Sequence, residues 1–128
     1  MPRFFNPPSV FAPYSAYSHG VEVPPGARTI YFSGQVGNAP DGAIPEDFAS
    51  QMHNVFANIE FILAEADMEF KNLVKLTSFM IRREDLEPSR VLRNELLKGN
   101  EPAHTLLFVS GLANPAFLIE VEGFAAAE

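Results

Sequence analysis

The stretch "EPAHTLLFVSGLANPAFLIEVEGF" contains the side chains of this chain that are best suited to acid–base chemistry. His104 follows Pro-Ala at the start of one predicted strand, and Glu120 is the first acid of "IEVE" in the next. We expect these two strands to pair, which makes Glu120 a candidate general acid or base with an imidazole nearby. The same pair would also fit a polar subunit interface without chemistry, so both interpretations stay open.

Two further segments offer groups that could hold a substrate. Tyr17 stands before "SHG" and could donate a phenolic hydrogen bond into a cleft, or serve as a half-buried strand tyrosine. In "SGQVG", Ser33, Gly34 and Gln35 place a hydroxyl, backbone N–H groups and an amide at a glycine-loosened strand end. Such groups could cradle a carboxylate, although the segment lacks the lysine and the spacing of a P-loop.

Composition excludes several other kinds of chemistry. The chain has no cysteine, which excludes disulfides, thiolate metal sites and cysteine nucleophiles. The three histidines include no i, i+4 pair, so we expect no metal site. No serine stands in a nucleophile-elbow pattern, which disfavours a serine hydrolase. With nine Lys and Arg against sixteen Asp and Glu, and no basic run, binding of nucleic acid is not expected.

Length and hydropathy indicate one cytoplasmic domain. The 128 residues and 47% apolar content predict a single globular domain over residues 1–128. Pro and Asn interrupt the N-terminal stretch "MPRFFNPPSVFAPYS", so it does not read as a signal peptide. No stretch approaches the ~18 apolar residues of a membrane span. We therefore expect a cytoplasmic protein without membrane contact.

The elements that must position these residues alternate between strand and helix patterns. Apolar residues at helical spacing predict a helix from Asp47 to Ala66, and Pro88 and Gly99 mark the start and end of a second. The predicted order is strands 17–23 and 28–37, helix 47–66, strand 72–81, helix 87–100, and strands 104–110 and 116–124. This order predicts an α+β fold, with two helices on one face of a mixed sheet.

The last predicted strand has two different faces. One face carries Phe117, Ile119 and Val121, whereas Glu120 and Glu122 lie on the other among apolar residues. If the helices cover the first face, the second face is neither a clean core nor a clean surface. We therefore expect it to meet another subunit, in an oligomer with clefts between protomers.

Taken in order, the motifs of this chain resemble those of the RidA/YjgF family, also known as L-PSP endoribonuclease-like proteins. The motifs are "PYSAYSHGVEV", "IYFSGQVG", "NVFANIEFILAEA", "NLVKLTSFMI", "EPAHTLLFVSGL" and "IEVEGFA". The resemblance implies a chorismate-mutase-like fold and a homotrimer with a central barrel and ligand clefts between subunits. It also implies hydrolysis of reactive imines or enamines to keto compounds and ammonia, without metal or organic cofactor.

The resemblance assigns roles to the candidate residues. Tyr17 matches the tyrosine of the family's cleft. Ser33, Gly34 and Gln35 match its Ser-Gly-Gln strand end. Glu120 matches the glutamate that positions or activates water.

His104 is the main departure from the family pattern, because deaminating members have an arginine there that grips the substrate carboxylate. Arginine would hold a carboxylate bidentately with a permanent charge, whereas histidine near pH 7 is mostly neutral. Losing that pair costs on the order of 2–4 kcal/mol of anchoring. Thr105 and Leu106 follow in the substrate-contacting stretch, and Leu106 replaces a frequent cysteine. The asparagine often found at the start of the second helix has no clear match around residues 87–90.

Three functions follow from these residues. The first is hydrolytic deamination of an imine or enamine of unknown identity, with Glu120 handling water and His104 donating a hydrogen bond or shuttling a proton. For this function we expect His104→Arg to raise activity on 2-imino acids. The second is a trimer that binds a small metabolite without turnover, which the apolar Leu106 and Phe108 favour. The third is ribonuclease activity, which the acidic composition disfavours.

Overall fold

Two α-helices pack on one face of a mixed β-sheet in the computed structural model, which describes residues 2–128. The strands are β1 (Arg3–Phe5), β2 (Gly20–Glu22), β3 (Arg28–Val36), β4 (Leu73–Met80), β5 (Ala103–Phe108) and β6 (Ile119–Ala127), and the helices are α1 (Phe48–Glu65) and α2 (Leu86–Leu96). The predicted α+β class is confirmed. Within residues 2–128, no helix is long and apolar enough to cross a membrane.

The main sheet has the strand order β3-β6-β4-β5, so the expected pairing of the strands of His104 and Glu120 is wrong. β4 lies between them, antiparallel to β6 and parallel to β5. The connection through α2 is long enough to return β5 parallel beside β4, as in other crossover units. The segment 109–118 then carries the chain past β4 to the far side, and sequence neighbours do not become sheet neighbours.

The N-terminal strand is shorter than predicted. Only residues Gly20–Glu22 of the predicted strand 17–23 are extended in a ladder, and they pair with β1. Pro24 and Pro25 follow after Val23 and have no backbone N–H to donate, which limits the ladder on this side. The result is a separate two-stranded sheet.

Helix α1 supplies most of the core and agrees closely with its prediction. Asp47 is its N-cap and accepts a hydrogen bond from the Ser50 N–H at 2.9 Å. Its buried face carries Phe48, Met52, Val55, Phe56, Ile59 and Leu63. Helix α2 ends at Leu96 instead of at residue 100, because Lys98 and Gly99 take left-handed φ angles of 53° and 83°.

The sheet face opposite the helices mixes apolar and acidic side chains, as the alternation of the last strand predicts. Ile119 and Val121 are buried beneath the helices, whereas Glu120 lies on the other face. On that outer face Tyr31 is 78% exposed and its ring lies 5.4 Å from the ring of Phe124. This face therefore leaves the apolar surface of Tyr31 in contact with solvent.

Candidate functional site

The strand register places His104 and Glu120 on opposite faces of the sheet. His104 is opposite Leu76, which is buried under the helices, and Glu120 is opposite Phe79 on the outer face. Because directly opposed side chains share a face and neighbours alternate, one protomer does not bring the two residues together. Thr105, predicted to join Leu106 in substrate binding, also lies on the outer face, where its hydroxyl accepts a hydrogen bond from Lys75 Nζ at 2.6 Å.

His104 instead lines a cavity of about 270 Å³ on the helix side of β5. We call it the helix-side cavity, and it lies between residues 14–17, the first two turns of α2 and β5. Its lining residues are Tyr14, Ser15, Tyr17, Leu86, Arg90, Arg93, His104, Leu106 and Phe108. It thus unites three residues that the sequence singled out, namely Tyr17, His104 and Leu106.

Burial keeps the imidazole of His104 neutral. His104 Nε2 lies 2.8 Å from Ser78 Oγ, in a hydrogen bond whose donor depends on the imidazole tautomer. Burial, together with the smaller effect of the positive charges of Arg93 and Lys75, lowers the pKa of His104 to about 3. A neutral histidine can donate or accept one directed hydrogen bond, but it cannot supply the positive charge of an arginine.

Tyr17 reaches the cavity because its chain segment is tied to the start of β5. Ser18 donates from its backbone N–H to the Pro102 carbonyl at 3.3 Å and from its hydroxyl to the Glu101 carbonyl at 2.6 Å. The Tyr17 ring contacts His19 edge to face, with 5.6 Å between centroids, and its hydroxyl accepts from the Tyr14 N–H at 3.3 Å. The phenol is therefore held in place from two sides.

Arg93 is the lining residue that sequence reasoning missed. It is 3% exposed, and its Nη2 donates to Ser15 Oγ at 2.9 Å. The sequence offers only the spacing of four between Ser89 and Arg93 in α2 and Leu97 just after it, and their burial becomes apparent in the structure. An arginine in such a stripe is unusual because long charged side chains are rarely fully buried without a partner.

Glu120 belongs to a second arrangement, on the outer face. Between Phe32 and Gln35 the register of β3 against β6 shifts by one residue, which is a β-bulge at Ser33 and Gly34. A Cβ at position 34 would collide with the Glu120 carboxylate, so only glycine leaves room for that carboxylate. Gln35 donates from its side chain to the Ser33 carbonyl at 3.0 Å. The predicted group of Ser33, Gly34, Gln35 and Glu120 is thus close together.

A shallow pocket of about 340 Å³ lies beside Glu120, between Phe79 and residues 109–113. Gln51 holds the backbone that leads into β6. It is a fully buried residue of α1 that sequence reasoning did not single out. Its amide donates to the carbonyls of Pro45 and Ala116, both at 2.8 Å, and accepts from the Leu118 N–H at 2.9 Å. These bonds fix the backbone two residues before Glu120.

No group of three or more His, Asp or Glu side chains in residues 2–128 is arranged to hold a metal ion. The candidate residues lie in two separate groups, one on each face of the sheet, which we call half-sites. The helix-side cavity offers arginine, phenol and neutral imidazole groups, and the outer face offers a carboxylate beside a bulge. Neither half-site alone brings an arginine and a carboxylate together.

Comparison with known proteins relates these features to a family. The endoribonuclease L-PSP family model matches residues 8–127. The 2-iminobutanoate/2-iminopropanoate deaminase of Rattus norvegicus is 32% identical over 116 residues, which cover 89% of this chain and 82% of the relative. A RutC family protein of Aquifex aeolicus is 34% identical over 79 residues, so this chain spans 61% of that relative.

The fold agrees with the same relationship. The crystal structure of a Rid-family protein of unknown function, YyfB of Yersinia pestis, is similar with a TM-score of 0.87 and 27% sequence identity, and the match covers 98% of each chain. This similarity confirms the predicted YjgF-like α+β fold. From the family match and the structural similarity together, the chain belongs to the endoribonuclease L-PSP family of RidA/YjgF proteins.

Proposed function

We propose that this protein is a homotrimeric hydrolase that deaminates reactive imine or enamine metabolites, with the keto compound and ammonia as products. The observation that carries the proposal is the Glu120 carboxylate, seated against the Gly34 bulge on the sheet face that the helices leave uncovered. A relative that is 32% identical is named as a deaminase of this kind. The ligand is a small molecule, and no metal or organic cofactor takes part.

The separation of the half-sites supports a cleft between subunits. His104 and Glu120 point away from each other across one sheet, so they can share a substrate only if Glu120 comes from a neighbouring protomer. β5 is an edge strand, and the helix-side cavity beside it can be closed by the outer face of another copy. The exposed Tyr31 and the half-buried Phe124 would be covered in the same step, which would remove their apolar surface from water.

The chemistry requires one base and one water molecule. Glu120 takes a proton from water as the oxygen attacks the C=N carbon, and passes that proton to the nitrogen to give a tetrahedral carbinolamine. Glu120 then takes the proton of the new hydroxyl group and passes it to the amine, so the C–N bond breaks and ammonia leaves as the C=O bond forms. Tyr17 and the backbone of Ser33 and Gly34 orient the substrate. A positioned general base of this kind contributes roughly 10²- to 10⁴-fold to the rate.

The experiment measures ammonia and keto-acid release from freshly generated 2-iminobutanoate and 2-iminopropanoate. Glu120→Gln keeps the shape of the side chain and removes the base, so kcat should fall by about 10²-fold or more. Glu122→Gln is the matched control, because it makes the same change two residues along on the same face. If the Glu120→Gln variant had the same kcat as the unmodified protein, the mechanism would be refuted.

A trimer that binds a metabolite without turnover is the second candidate. The apolar side chains Leu86, Leu106 and Phe108 make up a third of the cavity lining, more than hydrolysis requires. Thermal-shift screening against keto acids, amides and aromatic acids tests this candidate. A ligand that raises the melting temperature and is recovered unchanged, together with no ammonia release from imines, would favour it.

A further inference from the structure

Asp85 and Arg93 are the charged side chains that the structure buries within residues 2–128, and only Asp85 has a counter-ion. Asp85 is 5% exposed and accepts hydrogen bonds from Arg82 at 2.8 and 3.0 Å. Arg93 is 3% exposed, and no carboxylate of the described chain lies within salt-bridge distance of it. A buried charge without a counter-ion destabilises a fold strongly. The position of Arg93 therefore calls for a functional explanation.

The guanidinium of Arg93 also has unused hydrogen-bonding capacity. It carries five N–H donors, yet its hydrogen bond within the described chain is the one from Nη2 to Ser15 Oγ. Its Nε is buried and has no partner among residues 2–128. Because the side chain lines the helix-side cavity, a ligand in that cavity could supply the missing acceptor and the missing negative charge together.

The surroundings of Arg93 are positively charged in an acidic protein. The chain has sixteen Asp and Glu residues, yet none of them lines the helix-side cavity, whereas Arg90 does. Arg90 pairs at 2.7 Å with Glu87, whose side chain is 74% exposed to solvent. Burial lowers the pKa of the Arg93 guanidinium, and the charge of Arg90 lowers it further, while Tyr17 opposes this. An anion in the cavity would therefore interact favourably with the positive charges of Arg90 and Arg93.

We propose that Arg93 holds the carboxylate of a small monoanionic ligand in the helix-side cavity, and so supplies from α2 the cation that position 104 lacks. The inference rests on the proposed function, and what it adds is that α2 supplies the group that anchors the carboxylate. The planar fork of arginine suits a carboxylate in two parallel hydrogen bonds. The apolar part of the ligand would contact Leu86, Leu106 and Phe108.

The size of the cavity and the neutrality of His104 fit this assignment. About 270 Å³ is slightly below the roughly 300–1,000 Å³ of pockets that hold drug-sized ligands, which suits a small metabolite. A neutral His104 can lie beside Arg93 without repelling it. A second guanidinium at position 104 would be positively charged and would repel Arg93. With Arg93 in place, we now expect that His104→Arg brings no gain on 2-imino acids, in contrast to the expectation from the sequence alone.

The test uses 2-oxobutanoate, the unreactive keto acid that hydrolysis of 2-iminobutanoate would release, and its neutral analogue 2-oxobutanamide. Binding of both to the 128-residue protein is measured by calorimetry. We expect the acid to bind about 10- to 100-fold more tightly than the amide, as one charge-assisted pair provides. Arg93→Met should abolish this preference, while Arg3→Met, which removes an exposed arginine that does not line the cavity, should keep it.

Stability separates a ligand-binding role from a structural one. If Arg93 has no counter-ion until an anion binds, ligand-free Arg93→Met should melt at the same temperature as the ligand-free unmodified protein or higher. The reason is that the substitution removes an unpaired buried charge. A structural arginine would give a clear loss. Arg93→Lys keeps the charge without the fork and should retain part of the preference for the acid, which provides a second variant if the methionine variant folds poorly.

Several results would overturn the inference. These are equal affinity of the unmodified protein for acid and amide, no binding of 2-oxobutanoate, or an unchanged preference in Arg93→Met. The proposed function fails separately. If Arg93→Met loses the acid preference but Glu120→Gln leaves turnover unchanged, the anion site stands and the deaminase mechanism does not. If imine turnover depends on Glu120 but not on Arg93, the reverse holds.

Discussion

The neutral, buried His104 should make the fold sensitive to mild acid. In the folded protein its pKa lies at about 3, mainly because of burial, whereas the ordinary value is 6.5. The unfolded chain therefore binds a proton at pH values where the folded protein does not. Stability is thus fully present above about pH 6.5 and is lost progressively as the pH falls from there toward 3.

The size of the effect follows from the two pKa values. At pH 5 the unfolded imidazole is mostly protonated, and the folded imidazole is still neutral. The free energy of unfolding should therefore be about 2 kcal/mol lower at pH 5 than at pH 7.5 from this group alone, since each pH unit below 6.5 contributes about 1.4 kcal/mol. For a domain of this size, about 2 kcal/mol is a large part of the total stability.

Urea unfolding followed by far-ultraviolet circular dichroism measures this effect, because the chain has no tryptophan for fluorescence. The measurement uses pH 7.5, 6.5, 5.8 and 5.0 at one protein concentration, since oligomers unfold in a concentration-dependent way. His104→Gln is the control, because it keeps a hydrogen-bonding group near Ser78 and cannot titrate. His19 and His53 are present in both proteins, so their contributions cancel. Parallel pH profiles of the two proteins would refute the reasoning.

Three further predictions concern the outer face and its support. Gly34→Ala should keep the melting temperature within a few degrees but displace the flexible carboxylate of Glu120, so kcat should fall about 10²-fold in the ammonia-release assay. Gln51→Leu leaves three backbone groups without partners, and urea unfolding should show a loss of about 2–4 kcal/mol. Tyr31→Glu places a charge against Phe124 on the exposed face, and sedimentation should show monomers in place of trimers.

Each of these has a result that would contradict it. A Gly34→Ala protein with normal kcat would mean that the carboxylate of Glu120 does not have to stay where the bulge holds it. A Gln51→Leu protein as stable as the original would mean that water replaces the lost bonds at no cost. Trimers of Tyr31→Glu would show that subunits do not meet through this part of the sheet.

The fold was largely predictable because its strongest signals are local. Helix α1 has apolar residues at helical spacing over five turns, and the two-residue alternation of β6 separates Ile119 from Glu120. Strand order is not local. Nothing in the sequence between β5 and β6 indicates that β4 lies between them, because a chain crossing of that kind is decided by the crossover through α2 and not by any short motif.

The candidate site was predictable only in part, for a related reason. The bulge and Glu120 could be found because the glycine and the acid stand in recognisable motifs. Arg93 could not, since its spacing in α2 also fits a solvated helix face, and burial is what distinguishes it. Position 104 drew attention as a missing arginine, whereas the structure places another arginine in the same cavity from a different element.

The position of β4 between the strands of His104 and Glu120 has a consequence for how activity relates to assembly. If a catalytic cleft takes its base from one chain and its cation from another, a single subunit holds two incomplete halves. Mixed refolding of an inactive Glu120→Gln chain with an inactive Arg93→Met chain would then restore part of the activity. At some subunit interfaces, the intact Arg93 of one chain would meet the intact Glu120 of the other. Activity would then be a property of two adjacent subunits and not of a single chain.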